Sequence, residues 1–371
     1  MKIFLLGCYN NSEVLFGPEK VAKRIFNEFS KKNTDVTFIE YFLDGTKYGI
    51  REKLFGYEKY YNEYGKEILR LGIFRLIIEL FKRKPKIIHI FNFDRFPLVA
   101  FLFRPFLNYK VYITIHGIAS YEMEIAKKNM WNYYNLKDKV AEFLYYKLCD
   151  KLFFLSKESV EIASRYHNIK LSKVNFVANG IDEEFHSTFL YRHKVSGTKL
   201  KLVFIGDFNR IEKGLNFLLD CLSKIDFCLE LFVIGLGYDN SSFNINENVA
   251  IHIINKIPTD QLAEFYKDKD IFISASFYEP FSLAVVEAMA AGLVPVVTEE
   301  TGMSRFVKNE INGFKFKYGD EQSLLRLLKS LLSDASLLRR LPAKASEIYN
   351  QLCWQNISGE YKNIYMSHLN E

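Results

Sequence analysis

The sequence predicts an α/β protein made of two doubly wound, parallel-sheet domains. Short apolar runs alternate with helix-like stretches through both halves, the pattern of repeated βαβ units. A polar stretch that opens on Asn179-Gly180-Ile181-Asp182 and continues to residue 198 separates the halves. With 371 residues, 49% of them hydrophobic, the chain has apolar material for two cores. The expected organisation is a first domain over 1–182, a linker over 183–198, a second domain over 199–352 and a final segment over 353–371.

The elements follow in order. KIFLL at 2–6 is too short for a signal peptide and reads as a first buried strand. A helix is expected at 19–31, then strands TFIEY at 37–41, IIHIF at 87–91, VYITI at 111–115 and KLFFL at 151–155. These runs are apolar on both faces, as central parallel strands are. The second half repeats the pattern with KLVFI at 201–205, ELFVI at 230–234, AIHII at 250–254, DIFISA at 270–275 and VPVVT at 294–298. A last helix is expected at 354–369.

Composition excludes several classes. The five cysteines are odd in number and lack C-x-x-C spacing, so neither a disulfide framework nor a zinc site is expected, and a reducing cytoplasm is the simplest compartment. No apolar run reaches the length of a membrane-spanning helix. The net charge of +6 suits anionic ligands or an anionic lipid surface, and no nucleic-acid motif accompanies it. The apolar segment 68–81 leads into Lys82, Arg83, Lys84 and Lys86; it reads either as a buried helix with a cationic last turn or as a peripheral membrane contact.

The most informative stretch is YEPFSLAVVEAMAAGLVPVV, residues 278–297. Glu279 stands at the mouth of the strand before it. Pro280 suits a first helical position, and a helix over 281–291 would stop at Gly292. The free amides of Phe281, Ser282 and Leu283 would then attract a diphosphate. Glu287 lies roughly 10 Å further along the helix, so one carboxylate can meet a sugar beside the phosphates and the other a ribose.

This run resembles the E-x7-E signature of retaining GT-B glycosyltransferases of the group 1, family 4 type, usually EPFG-x-x-x-x-E-A-x-A-x-G-x-P-V. The resemblance implies the GT-B fold, two Rossmann-like domains facing across a cleft, with the final helix crossing back to the first domain. It implies Glu287 at the ribose hydroxyls and Glu279 at the donor sugar. Ser282 stands where the family usually has glycine.

Other segments extend the resemblance. Residues 203–214, VFIGDFNRIEKG, look like the phosphate loop G-R-x-x-x-x-K-G, with Gly206 and Lys213-Gly214 matching and Asp207 in place of the usual arginine. Lys213, with Arg210 reaching in from the loop, would stabilise the leaving diphosphate. His116, after VYITI, matches a histidine near the sugar, whereas His89 reads as a core or cleft-wall residue. Gly17 closes a first βα loop over 10–17 that resembles the family's glycine-rich loop, and Gly235-Leu236-Gly237 could approach the base. Gly180 permits a positive φ in a hinge resembling P-N-G-V-D. Thr301, Gly302 and Met303 offer backbone contacts to the donor, although Arg305 reverses the sign the family carries there. Tyr57, Tyr60, Tyr61, Tyr64, Trp131, Tyr133 and Tyr134 could stack on sugars, border a lipid or simply pack.

The resemblance therefore implies transfer of a sugar from a nucleoside diphosphate, UDP before GDP, to a glycan or lipid-linked acceptor, with no metal or other cofactor. Bacterial surface polysaccharide or glycolipid synthesis is the family-level setting, in the cytoplasm or at the inner membrane face. The rival readings are a nucleotide-sugar epimerase of the same architecture and a non-catalytic scaffold, the latter motivated by Asp207, Ser282 and Arg305.

Overall fold

The computed structural model describes residues 2–9, 17–42, 48–91, 93, 95–125, 133–190, 199–207, 210–237 and 246–368. The chain forms two compact units, Met1–Gly180 with Trp354–Glu371, and Ile181–Cys353.

The first unit is built on β1 (Ile3–Leu6), β2 (Val36–Tyr41), β3 (Tyr57–Tyr61), β4 (Glu67–Leu71), β5 (Ile87–Ile90), β6 (Lys110–Ile115), β7 (Lys151–Phe154) and β8 (Val174–Phe176). Its sheet has the order β3-β4-β2-β1-β5-β6-β7-β8, parallel throughout except the β3–β4 pair. The inner strands β1, β2 and β5 are buried at every position, which is why their runs carry no polar alternation. The helices are α1 (Gly17–Lys31), α2 (Ile50–Phe55), α3 (Ile73–Arg83), α4 (Val99–Leu107), α5 (Ala119–Ile125), α6 (Tyr133–Leu148) and α7 (Lys157–Tyr166). Leu76 and Leu80 of α3, Ala100 of α4 and Ala141 and Tyr145 of α6 join one core with Leu6, Ile88, Ile90 and Ile113 of the sheet.

Segment 68–81 is not one element. It is β4 followed by α3, split at Gly72, where a Cβ would sit 2.6 Å from the Leu54 carbonyl carbon. Residues 183–190, expected within a linker, form helix α8 (Glu183–Leu190) of the second unit. Two glutamates in its first turn favour the helix, and buried Phe185 and Thr188 anchor it. Residues 191–198 and the loop 10–16 lie outside the described residues.

The second unit contains β9 (Leu200–Ile205), β10 (Leu229–Ile234), β11 (Val249–Ile254), β12 (Ile271–Ser274), β13 (Val294–Thr298) and β14 (Phe314–Phe316). The sheet order is β11-β10-β9-β12-β13-β14, and all pairings are parallel. Helices α9 (Leu215–Leu222), α10 (Thr259–Tyr266), α11 (Leu283–Ala290), α12 (Glu321–Ser333), α13 (Ala335–Ser346) and α14 (Ile348–Leu352) complete it. The last helix, α15 (Trp354–Ser367), belongs to the first unit and packs on α1. Its Tyr365 hydroxyl meets His89 Nδ1 at 2.5 Å, and Thr114 Oγ1 meets both His89 Nε2 at 2.8 Å and the Tyr361 hydroxyl at 3.1 Å.

The hinge glycine acts differently from expectation. Gly180 is absent from the positive-φ glycines, and a Cβ there would overlap the Trp354 indole. Close packing, rather than a left-handed turn, requires it.

Candidate active site

In the second unit the chain moves outward from β9 through β10 to β11, then returns to lay β12 on the other side of β9. Loops leaving the carboxyl ends of β9 and β12 diverge at this switch point, where doubly wound sheets bind ligands. The β9 loop begins at Gly206, whose amide donates to Ile234 O at 2.9 Å. A short turn, Ile211–Lys213, follows, and Gly214 adopts φ 73° before α9. A Cβ on Gly214 would overlap the Ala275 carbonyl oxygen, so only glycine lets this loop lie against the end of β12. Phe277 N donates to Glu212 O at 3.0 Å and ties the two loops together.

Lys213 is positioned by this packing. Its stem lies on Gly206, where a Cβ would come within 3.1 Å of Lys213 Cγ. Its ammonium forms an ion pair with Glu279 Oε2, both side chains being largely shielded from solvent. The fold thus brings together two of the expected site residues from positions 66 apart.

The helix after Glu279 starts later than the sequence predicts. Glu279 and Thr301 form an isolated parallel bridge, and Gly302 N donates to Glu279 O at 2.7 Å. Pinned to its neighbour, the chain bends through Pro280 and Phe281 without entering a helix, and α11 begins at Leu283 with Ser282 as N-cap. Pro280 is therefore not the first helical residue. The amides opened by the helix start are those of Leu283, Ala284 and Val285, in place of Phe281 and Ser282. Ser282 has φ 80° and ψ 89°, the left-handed region that favours glycine, the residue the motif resemblance implies at this position.

The C-terminus of α11 matches expectation. Gly292, at φ 81°, donates to Met289 O, and Leu293 N donates to Ala288 O, both at 2.9 Å, which is a Schellman closure. Glu287 lies on this helix, 6% exposed. Burial, with a smaller contribution from the Glu287 charge, pushes the phenol of Tyr266 well above its ordinary range.

Beneath the Glu279 loop lies a hydroxyl cluster that the sequence reading missed. Thr298 Oγ1 donates to Ser276 O at 2.5 Å and meets Thr301 Oγ1 at 3.0 Å, while Ser274 Oγ lies 3.3 Å from Thr301 Oγ1. All four residues are buried and hold the ends of β12 and β13 in register. The signal was present as polar residues closing two otherwise apolar strands.

The other expected residues have partners of their own. Arg210 is half exposed and paired with Glu212. Asp207 Oδ1 accepts from Leu236 N at 2.8 Å, so the aspartate in the usual arginine position fastens the β10 loop. The Gly235 amide is spent on Ile254 O, at 3.0 Å, and that of Gly302 on Glu279 O. Arg305 is exposed, over the Phe306 ring.

In the first unit, Gly17 opens α1. His116 follows β6, and its Nε2 is enclosed without a hydrogen-bond partner among the described residues. Burial pushes its imidazole down to about 3, which keeps it neutral at physiological pH. The loop beyond it is anchored where Ser120 N donates to the buried Glu142 Oε2 at 3.0 Å. Tyr60, one of the aromatics singled out in the sequence, donates to the fully buried Glu40, which also accepts from Tyr9 N at 2.7 Å and Arg70 Nη2 at 3.0 Å. Tyr60 is thus a structural donor. Tyr57 and Tyr61 are exposed on the edge strand β3.

Two Rossmann-like sheets, the second in the order of nucleotide-binding folds, define a GT-B protein. The fold matches sucrose-phosphate synthase from Thermosynechococcus elongatus with a TM-score of 0.76 at 15% identity, over 100% of this chain and 99% of that one. It matches Anabaena HepE in complex with UDP-glucose with a TM-score of 0.70 at 16% identity, over 99% of this chain and 100% of that one. Residues 17–185 match the model described as Glycosyltransferase Family 4, and residues 190–347 the model described as Glycosyl transferases group 1. The chain belongs to the group 1 glycosyltransferases, a family of sugar-transferring enzymes. A curated relative, an uncharacterised glycosyltransferase of Methanocaldococcus jannaschii, is 25% identical over 237 residues, 59% of this chain. The match spans 60% of that relative's length.

Proposed function

We propose that the protein is a retaining, metal-independent glycosyltransferase that moves a sugar from a UDP-linked donor to a hydroxyl of a glycan or lipid-linked acceptor. Its setting in this reading is bacterial surface polysaccharide or glycolipid synthesis at the inner face of the cell membrane. The observation that carries the reading is the Lys213–Glu279 pair at the β9/β12 switch point, beside the start of α11. The UDP-glucose bound by Anabaena HepE, which shares the fold, supports the choice of donor.

In this reading Lys213 leaves Glu279 for the donor diphosphate and, with Arg210 and the α11 amides, meets the charge that develops as the sugar departs. Glu287 holds the ribose, and Glu279 and His116 orient the sugar. The bond from the anomeric carbon to the diphosphate breaks, and the acceptor oxygen bonds to the same face. The acceptor's proton passes to the departing phosphate oxygen.

The test is calorimetry with UDP, GDP, ADP and their sugar conjugates, without metal and with chelator present. UDP and one UDP-sugar are expected to bind selectively, and Glu287→Ala to weaken both at least about tenfold, the worth of one lost charge-assisted hydrogen bond. Glu279→Ala is expected to lower turnover more than nucleotide affinity. Binding of no nucleotide, or unchanged binding in Glu287→Ala, overturns the assignment; donor binding without transfer or hydrolysis identifies a binding subunit instead.

A further inference from the structure

Helices α3, α4 and α6 lie side by side on one face of the first sheet. Phe81 of α3 meets Phe103 of α4 edge-on at 5.7 Å, Phe101 of α4 meets Tyr145 of α6 at 6.0 Å, and Arg104 of α4 donates to Leu148 O of α6 at 3.0 Å. Each helix buries one stripe against the sheet: Leu76 and Leu80, Ala100, and Ala141 and Tyr145. Each also carries a second apolar stripe that stays about half exposed or more, even though Phe74 stacks on Phe55 and Phe81 touches Phe103. On α3 it is Phe74, Ile78 and Phe81, spaced i, i+4, i+7 and thus opposite Leu76 and Leu80. On α4 it is Leu102 and Phe106, and on α6 it includes Phe143. Exposure runs from 44% for Phe81 to 76% for Phe106. Because all three inward stripes face one sheet, all three outward stripes point away from it together. A helix apolar on two opposite sides normally has something on both.

The charge around this face has one dominant sign. Arg75 and Lys82 flank the α3 stripe, Lys84 and Lys86 follow it, Lys110 follows α4, and Lys147 ends α6 with its ammonium 5.6 Å from the Phe143 ring centroid; all are exposed. These helices hold three acidic residues, and two of them, Glu79 and Glu142, are buried. The lysines cluster where the helices run back into β5, β6 and β7, the edge of the sheet away from the carboxyl ends that bind ligands. Docking through this face leaves the carboxyl ends of the strands open.

We propose that the outward face of α3, α4 and α6 is a docking surface for an anionic lipid bilayer. The aromatic and leucine side chains enter the headgroup and acyl boundary while the lysines and Arg75 meet lipid phosphates. The inference deepens the lipid-linked acceptor reading above by assigning the surface that brings the enzyme to such an acceptor. A second copy of this chain fits less well, because a two-fold contact would set the same cationic fringe against itself.

The test is flotation of the full chain, without donor, on vesicles of phosphatidylcholine alone or with 30% phosphatidylglycerol. The protein is expected to float with the anionic vesicles and to remain largely free with the neutral ones. Leu102→Ser with Phe106→Ser is expected to lower partitioning at least tenfold, and Lys84→Glu with Lys86→Glu to remove the preference for phosphatidylglycerol. All four positions are exposed, so UDP affinity and the thermal midpoint report that each variant is folded. Equal flotation of wild type and both folded variants overturns the proposal, as does no flotation of wild type. A wild-type dimer that Leu102→Ser with Phe106→Ser converts to monomer also overturns it and assigns the face to a protein interface. Because flotation needs no nucleotide, its failure leaves the transferase reading standing, and failure of UDP binding leaves this one standing.

Discussion

At the residue scale, Ser282 and the two buried histidines make the sharpest predictions. Ser282 sits at φ 80° between a pinned loop and a helix start. Ser282→Gly is expected to leave stability unchanged or raise it by up to about 1 kcal/mol, whereas Ser282→Val should cost about 1–3 kcal/mol. Urea midpoints decide this, and equal midpoints for both variants would contradict the strained assignment. His116 and His89 are held neutral by burial, His89 with a smaller contribution from His116. Below about pH 6.5 the unfolded chain takes up protons that the folded chain refuses, so stability falls as pH drops, until His116 itself protonates near 3. Each histidine contributes at most about 1.4 kcal/mol per pH unit in that window. Urea unfolding at pH 7.5, 6 and 5 should show a shallower decline for His116→Gln; an identical slope would sink the claim. Among candidate site residues, Lys213 and Glu279 were legible because type and spacing matched a long ordered motif. The start of α11 was not, because Pro280 carries a local signal that the bridge from Glu279 to Thr301, formed across the sheet, overrides.

At the element scale, the parallel strands were legible because burial on both faces removes polar alternation. The edge strand β3, YEKYY, was not: four of its five residues are exposed, and its pairing depends on β4. The β4 and α3 residues form one nearly continuous apolar run, and only Gly72, fitted against the Leu54 carbonyl, divides them. For α15 the decisive contacts are tyrosine hydroxyls on His89 and Thr114, which composition does not announce. Tyr365→Phe strips the partner from His89 Nδ1 and is expected to cost about 1–3 kcal/mol, as an unsatisfied buried group does. Gly180→Ala, forced against Trp354, should cost a similar amount by overpacking. Hydrogen exchange should assign both losses to residues 2–180 and 354–368; a loss confined to 181–353 would refute the placement of α15.

At the scale of the whole molecule, two units with separate cores predict two calorimetric transitions. On the proposed donor site, UDP at 100 times its dissociation constant should raise the transition of the Ile181–Cys353 unit by about 2.7 kcal/mol. A shift limited to the other transition would place the nucleotide elsewhere. The crossing points of the chain carry a further consequence. Ile181 N donates to Leu352 O at 2.8 Å, and Ile181 bridges Cys353, so the second unit begins and ends at one spot. It is, in effect, an insert in the covalent order of the first. During translation the sheet of residues 3–176 must therefore wait, with His89, Thr114 and Phe153 uncovered, until the whole insert has emerged and residues 354–367 arrive to cover them. A ribosome that pauses within the insert leaves a sticky, half-roofed sheet for chaperones to guard. For the same reason the insert can be lifted out as a cassette and exchanged with that of a relative, its neighbouring ends needing only a short splice.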